Sequence, residues 1–232
     1  MAADMPLLAV LIDGDNSSPN WAAAIFEEIA SLGEASVRRV YGDFSSNQMK
    51  GWSERQASLG LIAHHQPANT VGKNASDIAL VIDAMDLLHS SRFHGFVLVS
   101  SDSDFTRLAQ RIREQGCDVY GIGQQKTPEA FRMACKRFIY VENLAGLAEP
   151  AQPERAPLDR GATLVANALG DVEDEEGWAE LGQIGTQLSK RYPDFDPRSY
   201  GFKKLSELVR AARRFEVSGR DRALKVRMKA KG

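Results

Sequence analysis

The sequence predicts an α/β fold with a mostly parallel sheet, followed by a small C-terminal winged helix-turn-helix unit. Three observations predict it. Short apolar runs alternate with helical patterns through the first part of the chain, a proline-rich stretch interrupts at 148–157, and beyond it helical stretches give way to a hairpin pattern. Apolar runs without strict in/out alternation suit strands covered on both faces, and their alternation with helices is the order of a parallel βαβ sheet. Helices leading into a β-hairpin are the order of a winged helix.

Strands are expected at Leu7–Ile12, Ser36–Tyr41, Leu61–Gln66, Gly95–Ser100, Cys117–Ile122 and Phe138–Val141. Between them, helices are expected at Trp21–Leu32, Trp52–Leu59, Asp77–His89, Phe105–Gln115 and Pro128–Cys135. The boundary segment, Ala148 to Pro157, carries three prolines in eight residues and reads as an extended, semi-rigid spacer. The predicted organisation is therefore a domain over 1–147, a linker over 148–157 and a second domain over 158–232. In that second part, helices are expected at about 161–170, 179–191 and 200–213, then strands around a turn at Gly219-Arg-Asp-Arg222. Trp178, Leu181, Ile184, Leu188, Phe202, Leu205, Leu208 and Val209 fall at core spacings.

Composition narrows the class of function. At 232 residues with 43% hydrophobic and 26% charged content, the chain is neither disordered nor fibrous and can bury a core without staples. Two cysteines, Cys117 and Cys135, make no disulfide framework, and there is no Cys/His spacing for zinc. Nothing approaches the roughly 18 apolar residues of a membrane span, and no basic region precedes a signal core, so a soluble, cytoplasmic chain is expected. The net charge of −2 hides an asymmetry: residues 1–150 hold 13 basic and 18 acidic residues, whereas 203–232 hold 11 basic and 3 acidic. A basic end suits a polyanionic partner, although it also suits a merely solvated face.

Sites in open parallel sheets form where strands run into helices at their carboxyl ends, and acids recur there. The first strand runs into Asp13-Gly-Asp-Asn16 and the fourth into Ser101-Asp-Ser-Asp104, while Asp77 opens a long helix. Each acid alone also suits a helix N-cap. Together, if the loops converge, Asp13, Asp77, Asp102 and Asp104 crowd like charges that need a counter-charge. Hard oxygen ligands suit Mg²⁺ or Mn²⁺, which activate water for phosphodiester hydrolysis. Asp83, six residues beyond Asp77, lies about 240° around the helix and faces elsewhere, and Asp86 reads as surface.

Other chemistries match less well. Asp13-Gly-Asp-Asn-Ser is similar to the first motif of haloacid-dehalogenase-like phosphatases, with Asp13 as nucleophile and Asp15 as acid, but Ser17 stands where Thr or Val is usual. Gly121-Ile-Gly-Gln is half a dinucleotide fingerprint without the third glycine. His64 and His65 lie in a predicted strand without partnering ligands.

Ala9-Val-Leu-Ile-Asp-Gly-Asp-Asn16, Lys73 with Asp77, Leu98-Val-Ser-Ser-Asp-Ser-Asp-Phe105 and Val119-Tyr-Gly-Ile-Gly123 resemble the NYN domain, a LabA-like branch of the PIN-like nucleases. The resemblance covers about 6–145 and implies a three-layer α/β/α sandwich whose acidic metal site acts on RNA. It implies Asp13, Asp77, Asp102 and Asp104 as catalytic, metal-holding acids and Asn16 and Ser101 as supporting polar groups. It further implies Lys73 as a phosphate contact and Asp83 as a further helical acid. Some PIN-like members bind without cutting, so a non-catalytic RNA-binding regulator is the alternative. From about 158 to 229 the chain resembles the OST-HTH or LOTUS domain, carried by Gly177-Trp-Ala-Glu-Leu-Gly182, Pro193-Asp-Phe-Asp196 and Tyr200-Gly-Phe-Lys-Lys-Leu205. That resemblance implies RNA binding or, in some members, a protein partner. Lys203, Lys204, Arg210, Arg213 and Arg214, with Arg220 and Arg222 on the wing, then read as phosphate contacts, and Tyr200 as a base-stacking or packing ring.

Overall fold

In the computed structural model, the described residues are 5–66, 75–144, 156–219 and 224–229. The chain divides into two compact units, Met1–Ala148 and Glu149–Gly232.

The first unit alternates strand and helix: β1 (Leu7–Asp13), α1 (Ala22–Leu32), β2 (Glu34–Gly42), α2 (Lys50–Leu59), β3 (Ile62–His65), α3 (Ala75–His89), β4 (Gly95–Val99), α4 (Thr106–Glu114), β5 (Asp118–Gly123), α5 (Glu129–Ala134) and β6 (Arg137–Tyr140). The strands form one sheet in the order β3-β2-β1-β4-β5-β6. Every pairing between them is parallel.

Period-2 alternation sorts the strand side chains onto two cores. On one face Leu8, Val10, Ile12, Val97 and Val99 meet Ala22, Ile25 and Ile29 of α1 and Trp52 of α2. On the other, Ala9, Leu11, Phe96 and Leu98 meet Leu80, Ala84 and Leu88 of α3, with Leu108 and Ile112 of α4 and Phe131 of α5. This is the three-layer α/β/α sandwich. It explains why β1 and β4 carry almost no polar residue before their last positions: both faces are covered. Each fully buried aliphatic side chain contributes about 1.5–3 kcal/mol against exposure.

The second unit contains α6 (Leu158–Gly170), β7 (Ala179–Glu180), α7 (Leu181–Arg191), α8 (Leu205–Ala211), β8 (Phe215–Ser218) and β9 (Lys225–Met228), with a three-stranded sheet in the order β7-β9-β8. Both pairings are antiparallel, and the architecture is a winged helix. Two local expectations change. Residues 179 and 180 begin no helix; they pair with Val226 and Lys225 as a third strand. The helix expected at about 200–213 is shorter, because Pro197 opens a separate 3-10 turn (Pro197–Tyr200) that Gly201 ends in the left-handed conformation, at φ 88°. Among the described residues, no helix is long and apolar enough to cross a membrane.

Candidate active site and nucleic-acid interface

The strand order reverses between β1 and β4, and the crevice at the carboxyl ends of those two strands is where an open α/β sheet offers a site. Ile12 lies in register with Val99 of β4 and Asp13 with Tyr41 of β2, so Asp13 and the loop after Val99 stand at the same edge.

Asp13 is 1% exposed. It is not unsatisfied: one carboxylate oxygen accepts from Ser100 Oγ at 2.7 Å and the other from the Asn16 N–H at 3.1 Å. Burial pushes its pKa upward, against the lowering effect of Ser100 and Asn16. Ser100 Oγ in turn accepts from the Asp102 N–H at 3.0 Å, which ties the β4 loop to the β1 acid. Asp102 caps a 3-10 turn (Ser103–Phe105) by accepting from the Asp104 N–H at 2.9 Å. Ser101 Oγ accepts from the Gln124 N–H at 2.9 Å and so joins the end of β4 to the segment after β5.

Asp77 enters from the first turn of α3. Its pKa is pushed up to about 6, first by burial and then by the charges of Asp13, Asp102, Asp15 and Asp104. The loops after β1 and β4 and the start of α3 therefore share one electrostatic field, which brings together all four acids expected from the sequence. They also bring in Asp15, a member of the site that sequence reasoning assigned only to a phosphatase role. Asp15 Oδ2 accepts from Ser76 Oγ at 2.7 Å. Its recurrence two residues after Asp13 was the available signal; the Ser76 contact, between residues 61 apart in sequence, carried none.

Asp83 lies apart from this group. It pairs with Arg39 and accepts from the Tyr41 hydroxyl, and His64 Nδ1 is 3.9 Å from its Oδ2. Burial, then the Asp83 bond, pushes the Tyr41 pKa upward. Among the described residues, no group of three His, Cys, Asp or Glu side chains forms a ready-made cage for an ion. Lys73 lies outside the described residues.

In the second unit, Lys203, Lys204, Arg210, Arg213 and Arg214 are all exposed. Lys203 and Lys204 precede α8, Arg210 lies in its last turn, and Arg213 and Arg214 follow it. Arg214 also donates to Thr163 Oγ1 at 3.1 Å. Tyr200 is half-buried: its ring packs against Gly161 of α6, where an added Cβ would come within 3.0 Å, and lies 5.7 Å from the Phe195 ring. Packing thus accounts for its position. Arg227 lies 4.5 Å over the Trp178 ring and pairs with Glu216 at 2.7 Å. Arg220 and Arg222 lie outside the described residues.

Comparison with known proteins gives two family matches: the NYN domain over residues 7–142 and the OST-HTH/LOTUS domain over residues 162–226. No curated protein matches the chain. Among solved structures, a protein of unknown function from Vibrio parahaemolyticus is 18% identical with a TM-score of 0.49, covering 60% of this chain and 95% of its own. An uncharacterised protein from Nitrosomonas europaea, solved by NMR, is 36% identical with a TM-score of 0.29, covering 38% of this chain and 87% of its own.

Proposed function

The chain belongs to the NYN domain family and carries an OST-HTH/LOTUS domain after it, and from that membership we propose a cytoplasmic, metal-dependent endoribonuclease that hydrolyses RNA phosphodiester bonds. The observation that supports this most is the convergence of Asp13, Asp15, Asp77, Asp102 and Asp104 where the strand order reverses.

Five carboxylates in one field need a counter-charge, and the donor set is entirely hard oxygen, which fits Mg²⁺ or Mn²⁺. Mg²⁺ retains most of its waters and engages only one or two carboxylates directly, so an open acidic crevice suits it better than a closed cage would. Asp13, Asp77, Asp102 and Asp104 would hold the ion, one or two of them directly and the others through its waters. When bound, it would lower the pKa of water and stabilise charge on the phosphate and leaving oxygen.

The protein's own groups supply the order around it. Ser100 and the Asn16 N–H fix the Asp13 carboxylate, leaving it little freedom to rotate. The Asp104 N–H fixes Asp102, and Gln124 fixes Ser101. In the second unit, Lys203, Lys204, Arg210, Arg213 and Arg214 would hold RNA through its phosphates without reading sequence. Tethering to the NYN unit would then raise the local RNA concentration at the acids.

The test is incubation of labelled single-stranded and hairpin RNAs with Mg²⁺, Mn²⁺ or EDTA, beside Asp102→Asn. The expected result is metal-dependent cleavage by the unaltered chain and none by Asp102→Asn, with RNA retention equal for both. RNA that is retained but intact under every condition would replace the nuclease with a non-catalytic RNA-binding regulator.

A further inference from the structure

The acidic site is built from two loops and one helix, and hydrophobic packing alone does not fix where that helix stands along the sheet. Leu80, Ala84 and Leu88 hold α3 against the sheet, but apolar contact is non-directional and permits sliding and rotation. Directional bonds tie α3 down at two heights. In its first turn, Ser76 donates to Asp15 of the β1 loop. Nearly two turns further on, Asp83 takes the Arg39 guanidinium on one oxygen and the Tyr41 hydroxyl on the other.

Both partners of Asp83 come from β2, and Tyr41 lies in register with Asp13 itself. Tyr41 is fully buried, and its ring lies 4.9 Å from that of His64. The side chains of Arg39 and Asp83 are only 23% and 18% exposed. Ion pairs this far from solvent add little net stability, because desolvation offsets attraction. Arg39 Nε, moreover, is buried without a partner among the described residues. What such a network supplies is direction.

We propose that Asp83, gripped by Arg39 and Tyr41, is a positioning residue that fixes the rise and rotation of α3 so that Asp77 stands among the acids of the β1 and β4 loops. This rests on the reading of those acids as a metal centre, and it gives Asp83 a role through Asp77, with no contact of its own to the ion. Groups that orient metal-holding side chains characteristically change metal affinity roughly 10–100-fold when removed.

The experiment is Mn²⁺ titration of the full chain by calorimetry, with circular-dichroism melting as a check of folding. It compares the unaltered protein with Asp83→Asn, Tyr41→Phe, Asp77→Asn and the Asp83→Asn/Asp77→Asn pair. The expected result is roughly tenfold weaker Mn²⁺ binding by Asp83→Asn, and little further weakening when that change is added to Asp77→Asn. Tyr41→Phe keeps the ring and removes only the hydroxyl, so it carries the test if Asp83→Asn fails to fold; several-fold weaker binding is expected. Unchanged Mn²⁺ affinity in the folded variants overturns the proposal, as do effects that simply add in the pair. Absence of Mn²⁺ binding by the unaltered chain overturns the metal-centre reading itself, and the positioning role with it.

Discussion

Asp77 carries a cost that shows in the pH dependence of stability. The folded chain holds its proton up to about pH 6, whereas an unperturbed aspartate releases it near 3.8. Unfolding therefore releases a proton between those values, and stability falls as pH rises through that window. Because Asp77 is only partly buried, solvent screening reduces the penalty to about 1 kcal/mol. Asp77→Asn is expected to raise the neutral-pH melting temperature by about 2–4 °C and to leave it unchanged at pH 3.5. Melting curves at the two pH values check this. A fall at neutral pH would mean that Asp77 makes favourable contacts that outweigh the repulsion. Mg²⁺ should stabilise the unaltered protein at neutral pH and should stabilise Asp77→Asn less.

At the scale of elements, the join between β4 and β5 is as demanding as the acids it supports. Gly123 closes β5, and a Cβ there would stand 2.4 Å from the backbone oxygen of Ser100, the residue whose hydroxyl holds Asp13. Gly123→Ala must push the two strand ends apart and is expected to cost about 1–3 kcal/mol in denaturant unfolding. Gly182→Ala in α7, where a new Cβ meets nothing within 4 Å, is the matched control and should cost nothing. The strands themselves were legible in the sequence. Leu7–Ile12 and Gly95–Val99 are apolar runs because both faces of the sheet are covered, and the acids follow at the carboxyl ends of the strands. Helical arithmetic likewise turned Asp83 away from Asp77. Contacts made by folding rather than by periodicity were not legible: Ser76 with Asp15, Ser100 with Asp13, and the two-residue strand Ala179–Glu180. Each depends on segments distant in the chain, and a two-residue strand is too short to display a period.

For the whole molecule, the balance of charge is divided by unit, −5 over residues 1–150 and +3 over 151–232, with exposed cations around α8. Replacing Lys203, Lys204, Arg210 and Arg213 with alanine is expected to weaken binding to all single-stranded RNAs alike. The slope of log affinity against log salt should become shallower by about 0.7 for each phosphate that is no longer neutralised. Filter binding between 50 and 200 mM salt would check this, and weakening confined to particular sequences would indicate base recognition instead. Because these side chains are exposed, the melting temperature should stay the same.

The position of β1 has a consequence for how the molecule comes into being. It is the first of the six strands to be made, yet it lies in the middle of the sheet, and Leu8 waits for Gly95 as its partner. Pairings between residues so far apart close a long loop and are slow to form. Asp13 and Asp102 meet only when β4 docks beside β1, so a chain that has emerged no further than α3 holds Asp13, Asp15 and Asp77 but no crevice. The crevice is thus a product of long-range pairing, and a chain that stops short of β4 cannot form it.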